Sequence, residues 1–141
     1  VEFGKAKTAK EGSDVTIVSL GVGVHHALKA AKILEEEGDN AEVIDLRSLV
    51  PLDREHIFAS VKKTGRLVVV DEDYHSYGVT GEVMASVVEK DISILKAAPK
   101  RIAYPDIPIP FSPVMEQWAL PNAQKIVEAC LAFDYHHEQL T

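Results

Sequence analysis

Gly21-Val22-Gly23-Val24-His25-His26 is the first stretch whose residue types could do chemistry. It follows an apolar run and opens a helical stripe. That is the layout of an anion-binding turn, because glycines let the backbone approach a phosphate and the helix N-terminus attracts its charge. A dinucleotide turn, however, wants a small residue where His26 stands, and no Lys-Ser/Thr pair follows for a triphosphate loop. Arg47, at the end of the following strand, is a candidate phosphate partner. Gly21, Gly23, His25 and His26 are therefore weak anion-turn candidates, set against a plain tight strand-to-helix turn. His25, His26 and His75 supply three imidazoles, a set that can ligate zinc. Adjacent histidines on a helix point in different directions and no Cys or HExxH spacing supports them, so no metal site is assigned. One of these rings lining a channel and carrying a proton is the functional reading; polar surface at an interface is the plainer one.

Asp71-Glu72-Asp73 reads as the acidic exit of a buried strand, where carboxylates can bind metal or exchange protons but more often simply meet solvent. Tyr74-His75-Ser76-Tyr77-Gly78 follows, rich in side chains that bury area and keep a polar tip, and reads as an interface or channel-wall loop. Glu82 falls in the first turn of a helix, where the helix dipole alone accounts for a carboxylate. No Gly-x-Ser-x-Gly elbow occurs, and Cys130 lies on an apolar helix face as core, so no catalytic residue is assigned. Pro105-Asp106-Ile107-Pro108-Ile109-Pro110-Phe111-Ser112-Pro113 is a stiff connector whose Ile107, Ile109 and Phe111 must pack on this domain or on a neighbour.

The elements that must position these residues are legible from periodicity. Residues 5–10 read as an edge strand protected by lysines, closed by the turn Glu11-Gly12-Ser13-Asp14. Val15–Leu20 is a strand buried on both faces. Apolar residues at 24, 27, 28, 31 and 34 predict a helix ended by Gly38. Ala41–Leu46 predicts a strand. Asp53 caps a helix to about Lys63, with Ile57, Phe58 and Val61 inward. Leu67–Val70 is the most apolar strand. Thr80 is the expected cap of a helix from Gly81 to about Glu89 carrying Val83, Val87 and Val88. Arg101–Tyr104 is a last strand, and Pro121-Asn122 starts a closing helix with Ile126, Val127, Cys130 and Leu131 on one face. Alternating strands and helices imply a single three-layer α/β/α domain over residues 1–141, its five-stranded sheet mostly parallel with one antiparallel edge strand. Strands 15–20 and 67–71 are expected at the centre, with Gly21–His26 and Glu72–Gly78 facing each other where strand order reverses.

The 141 residues suit one domain that buries roughly two thirds of its unfolded surface. The composition, 46% hydrophobic and 26% charged, is ordinary for a globular protein. A net charge of −7 argues against a nucleic-acid partner, which needs clustered Lys and Arg. No apolar run reaches the ~20 residues of a membrane span, and no secretory pattern opens the chain. Cys130 is alone, which excludes an internal disulfide and favours a reducing compartment, cytoplasmic or organelle matrix.

Several segments in order carry a family resemblance: Glu11-Gly12-Ser13-Asp14-Val15-Thr16-Ile17-Val18, Asp45-Leu46-Arg47 with Pro51-Leu52-Asp53, Lys63-Thr64-Gly65-Arg66, Gly81-Glu82-Val83, Ala98-Pro99-Lys100-Arg101 and Pro105-Asp106-Ile107-Pro108-Ile109-Pro110. The chain resembles the C-terminal domain of the transketolase superfamily, in particular the beta subunit of thiamine-diphosphate-dependent 2-oxo acid dehydrogenases acting on pyruvate, acetoin or branched-chain substrates. The Asp73–Gly78 loop and Met115–Pro121 are more similar to the acetoin and pyruvate enzymes. The resemblance implies a subunit whose pyrimidine-binding N-terminal domain is absent here. It implies thiamine diphosphate and Mg in the full enzyme and none bound by this domain alone. Its implied partners are an alpha subunit, a second beta subunit and the subunit-binding domain of a lipoyl acyltransferase. It makes Tyr74, His75, Tyr77, Gly78 and Glu82 candidates for an interface near the active-site entrance, and Ile107, Ile109 and Phe111 candidates for packing between subunits. The rival expectation is an autonomous nucleotide- or small-molecule-binding module built on the Gly21–His26 turn.

Overall fold

A computed structural model describes residues 5–47, 52–74, 79–104 and 122–133, with the backbone alone for 22, 71–74, 79–80 and 103–104. Along the chain run β1 (Lys7–Lys10), β2 (Val15–Ser19), α1 (Val22–Glu36), β3 (Ala41–Asp45), α2 (Arg54–Thr64), β4 (Leu67–Tyr74), α3 (Val79–Asp91), a 3₁₀ turn (Ile92–Ile94), β5 (Lys100–Tyr104) and α4 (Ala123–Leu131). The strands form one sheet in the order β1-β3-β2-β4-β5. β2 pairs parallel with β3 from Val15↔Ala41 to Ser19↔Asp45 and with β4 from Thr16↔Leu67 to Val18↔Val69. β5 adds in parallel to β4, and β1 closes the other edge antiparallel to β3. The expected fold class is the observed one.

Side-chain alternation explains the layers. Val15, Ile17, Val43, Val68 and Val70 point to one face, where Ala27, Ala31 and Leu34 of α1 and Ile126 and Cys130 of α4 cover them. Val18, Ile44, Leu67 and Val69 point to the other, against Ile57 and Val61 of α2 and Val83 and Val87 of α3. A strand sandwiched this way must be apolar at nearly every position, hence the run Leu67–Val70 and the run Val15–Val18, broken only by Thr16. The helix ends follow local chemistry. The Asp53 carboxylate accepts from the His56 N–H at the start of α2, and Gly65, at φ +75°, ends it in the left-handed conformation. Asn122 caps α4 by accepting from the Lys125 N–H.

Four expectations need correction. β4 runs on to Tyr74, pairing Tyr74 with Tyr104 after a slip in register, so Asp71-Glu72-Asp73 lies within the strand and not beyond it. α3 begins at Val79, which places Thr80 inside the first turn and not at the cap. Phe58 is only half-buried, with the Lys90 ammonium 4.5 Å from its ring centroid. Val88 and Leu131 are exposed at 36% and 45%, because helices covering a sheet from outside turn their outer edge to water.

Candidate functional site

The strand order reverses between β2 and β4, as expected, and the Gly21–His26 turn sits there. Gly21 takes φ +59° and receives no side-chain cap, while its carbonyl accepts from the Val24 N–H at 3.1 Å. Gly23 is buried, and a Cβ on it would lie 2.1 Å from the Ser19 hydroxyl oxygen. That hydroxyl donates to the Val70 carbonyl at 2.8 Å, bridging the two strands across the reversal point. Gly23 is thus a glycine of helix-to-strand packing: any side chain there would collide with Ser19. His25 is exposed and His26 half-buried. Arg47 is exposed at φ +60°, its N–H donating to the Asp45 carboxylate at 3.1 Å.

Glu82 is exposed in the first turn of α3 and accepts from Arg54 Nη2 at 3.2 Å, tying the starts of α3 and α2 together. The Tyr74 backbone ends β4. His75, Tyr77, Gly78, Ile107, Ile109 and Phe111 lie outside the described residues. Cys130 is wholly buried, and that burial pushes its thiol up to about 12, so it is a core residue and not a nucleophile.

The polar constellation that sequence reading missed lies between α2 and the β1–β3 edge. There an open cleft of about 240 Å³ is lined by Thr8, Glu11, Glu42, His56, Ala59, Ser60 and Lys63. Glu42 is 3% exposed on β3, between Ala41 and Val43 and paired across to Thr16. Its carboxylate accepts from the Ser60 hydroxyl at 2.5 Å, from the Gly12 N–H at 3.3 Å and from the Lys63 ammonium. Behind Ser60, Thr16 Oγ1 lies 2.8 Å from Ser60 Oγ and 2.7 Å from Thr64 Oγ1, and Thr64 donates to the Arg66 carbonyl at 3.1 Å. With the Ser60 and Thr64 protons committed outward, the single Thr16 proton serves one neighbouring hydroxyl at a time.

Charge follows geometry. Burial pushes the Glu42 carboxyl up, but Lys63, Ser60 and the Gly12 amide together overcome it and hold the group below its usual range. Lys63 is raised, chiefly by its hydrogen bond to Glu42. A carboxylate so stabilised is a poor base and an ammonium so held is a poor nucleophile, so the Ser60–Glu42–Lys63 set does not activate its serine. The signal that could have found it was Glu42 standing inside the apolar run Ala41–Leu46, together with Ser60 and Thr64 four apart on the inward face of a helix.

Comparison with known proteins identifies the architecture. Residues 4–126 match the family model described as transketolase, C-terminal domain. The chain belongs to the transketolase C-terminal domain family. A solved split-gene transketolase, described as an inactive β4 tetramer, superposes with TM-score 0.75 at 34% identity, over 94% of this chain and 42% of that one. The chain is 53% identical over 127 residues to the mitochondrial pyruvate dehydrogenase E1 component subunit beta-1 of Arabidopsis thaliana, covering 90% of this chain and 35% of the relative. It is 44% identical over 131 residues to the acetoin:2,6-dichlorophenolindophenol oxidoreductase subunit beta of Bacillus subtilis, covering 93% and 38%. The transketolase C-terminal domain here therefore spans little more than a third of the length of these curated relatives. Among the described residues no helix is long and apolar enough to cross a membrane.

Proposed function

We propose that this domain is the C-terminal assembly domain of the beta subunit of a 2-oxo acid or acetoin dehydrogenase decarboxylating component. The observation that carries the reading is identity above 40%, across nine tenths of the chain, to beta subunits of both pyruvate and acetoin enzymes. The full enzyme oxidatively decarboxylates or cleaves its substrate and hands the acyl unit to lipoamide. Thiamine diphosphate, with Mg to hold its diphosphate, supplies the carbanion stabilisation there. This chain's own contribution is packing. Its partners are an alpha subunit, a second beta subunit and the subunit-binding domain of the lipoyl acyltransferase, in a bacterial cytoplasm or an organelle matrix. Tyr74, His75, Tyr77, Gly78 and Glu82 border the active-site entrance, and Ile107, Ile109 and Phe111 pack between subunits. A domain whose described polar cluster is internally neutralised, and whose central strands are bridged by Ser19, suits that supporting role.

The test is reconstitution. The complete beta subunit and its alpha partner are co-expressed with and without these 141 residues. Reduction of dichlorophenolindophenol is then followed with pyruvate, acetoin and branched-chain 2-oxo acids. Turnover and assembly should both require the domain. Subunits that assemble and turn over at an unchanged rate without it would refute the reading.

A further inference from the structure

β1 is attached differently from the rest of the sheet. β2 is buried at every position, whereas β1 has only exposed and half-buried ones. It is bonded to β3 alone, and the pairing slips at Ala9. Among the described residues its apolar contacts with the cores are Ala6 and Ala9, each partly buried against one of them. A file of polar contacts holds it instead. The Ala6 N–H donates to Asp53 Oδ2 at 2.9 Å, and Thr8 Oγ1 lies 2.7 Å from His56 Nε2. Glu11 pairs with Lys63 at 3.5 Å, and Lys10 pairs on the opposite face with Glu35 at 3.9 Å. A segment held by partly hydrated polar contacts, with little buried apolar area, opens at a lower free energy than the core.

The turn that follows is anchored far more firmly. The Ser13 and Asp14 N–H groups both donate to the Asn40 carbonyl, at 3.1 and 2.9 Å, and the Asn40 N–H returns to Asp14 Oδ2 at 2.7 Å. Gly12 lies against β3 so closely that a Cβ would sit 2.3 Å from the Ala41 carbonyl carbon. A fixed turn thus joins a weakly held strand to a rigid sheet.

We propose that residues 5–11 form a hinged strap over the polar cleft, turning about Gly12–Asp14 and latched shut by Glu42, Lys63 and His56. The strap supplies Thr8 and Glu11 to the cleft walls. Swinging it out gives water access to the Glu42 carboxylate and the Ser60 hydroxyl while β2–β5 stay paired.

Native-state hydrogen exchange on the whole chain, read by mass spectrometry, tests this. The β1 amides bonded to β3 should exchange at least about tenfold faster than those of β2 and of Leu67–Val70. Glu42→Gln removes the charge that holds Lys63 and should speed the strap by a further factor on the order of ten. Thr8→Val, which touches only the strap-side contact to His56 and leaves the sheet intact, should speed it severalfold with β2 unchanged. Strap amides that exchange together with the core in the unaltered chain, that respond to neither variant, or that shift only in step with the core would overturn the proposal.

Discussion

Glu42 stands between alanine and valine along its strand, and it is tolerated there because three donors, the Gly12 amide and the Ser60 and Lys63 side chains of α2, meet its lone pairs. Breaking a buried pair by removing one partner is costly, because the other charge is left behind. Here Lys63 can swing its head into water, its side chain being 46% exposed, so the loss falls mainly on Glu42. A carboxylate with a depressed folded pKa stabilises the fold above its unfolded value of 4.5, and loses that contribution as pH falls through the folded value. Lys63 mirrors it, stabilising below 10.5 and losing its contribution as pH rises through the raised folded value. Denaturant midpoints of the unaltered chain and Glu42→Gln should therefore differ most near neutral pH. The gap should close as pH falls from 4.5 through the lower folded value. A gap independent of pH would mean that the Glu42 charge contributes nothing.

At the scale of elements, the β1–β2 turn is where small changes matter most. Gly12 has a β3 backbone atom where its Cβ would be, and backbone cannot rotate away as a side chain can. Gly12→Ala should cost about 1–3 kcal/mol, as overpacking does, and lower the denaturant midpoint at constant slope. Gly38→Ala is the contrasting case, with nothing within 4 Å of the added Cβ and only its φ of +89° opposing it. An unchanged midpoint for Gly12→Ala would show that the turn slides freely on β3. The elements themselves were readable in the sequence because the central strands of a covered sheet must be largely apolar on both faces, and Asp53 and Asn122 mark helix starts by their own hydrogen-bonding chemistry. The end of β4 and the start of α3 were misplaced because pairing with β5, a tertiary event, extends the strand through three carboxylates. Of the cleft only Glu42, inside an apolar run, left a mark in the sequence. Thr8, Glu42, His56, Ser60 and Lys63 are ordinary surface types in isolation, and only the meeting of β1, β3 and α2 makes them a cluster. The Gly21–His26 turn misled in the opposite direction: glycine spacing that serves close helix packing looks the same in sequence as spacing that serves a phosphate.

For the whole molecule, helical layers cover both faces of the sheet, and at the strand-order reversal that commonly receives a ligand in open α/β folds Ser19 bridges β2 to β4 while Gly23 packs against it. The chain spans 35% of the pyruvate dehydrogenase beta subunit it resembles at 53% identity, which leaves most of that protein to supply the rest of any active site. The measurement that bears most directly on this account is calorimetric titration of the chain alone with thiamine diphosphate and Mg. The account predicts no saturable heat, with binding appearing only when the upstream domain and alpha subunit are present. Stoichiometric micromolar binding to these 141 residues by themselves would contradict it.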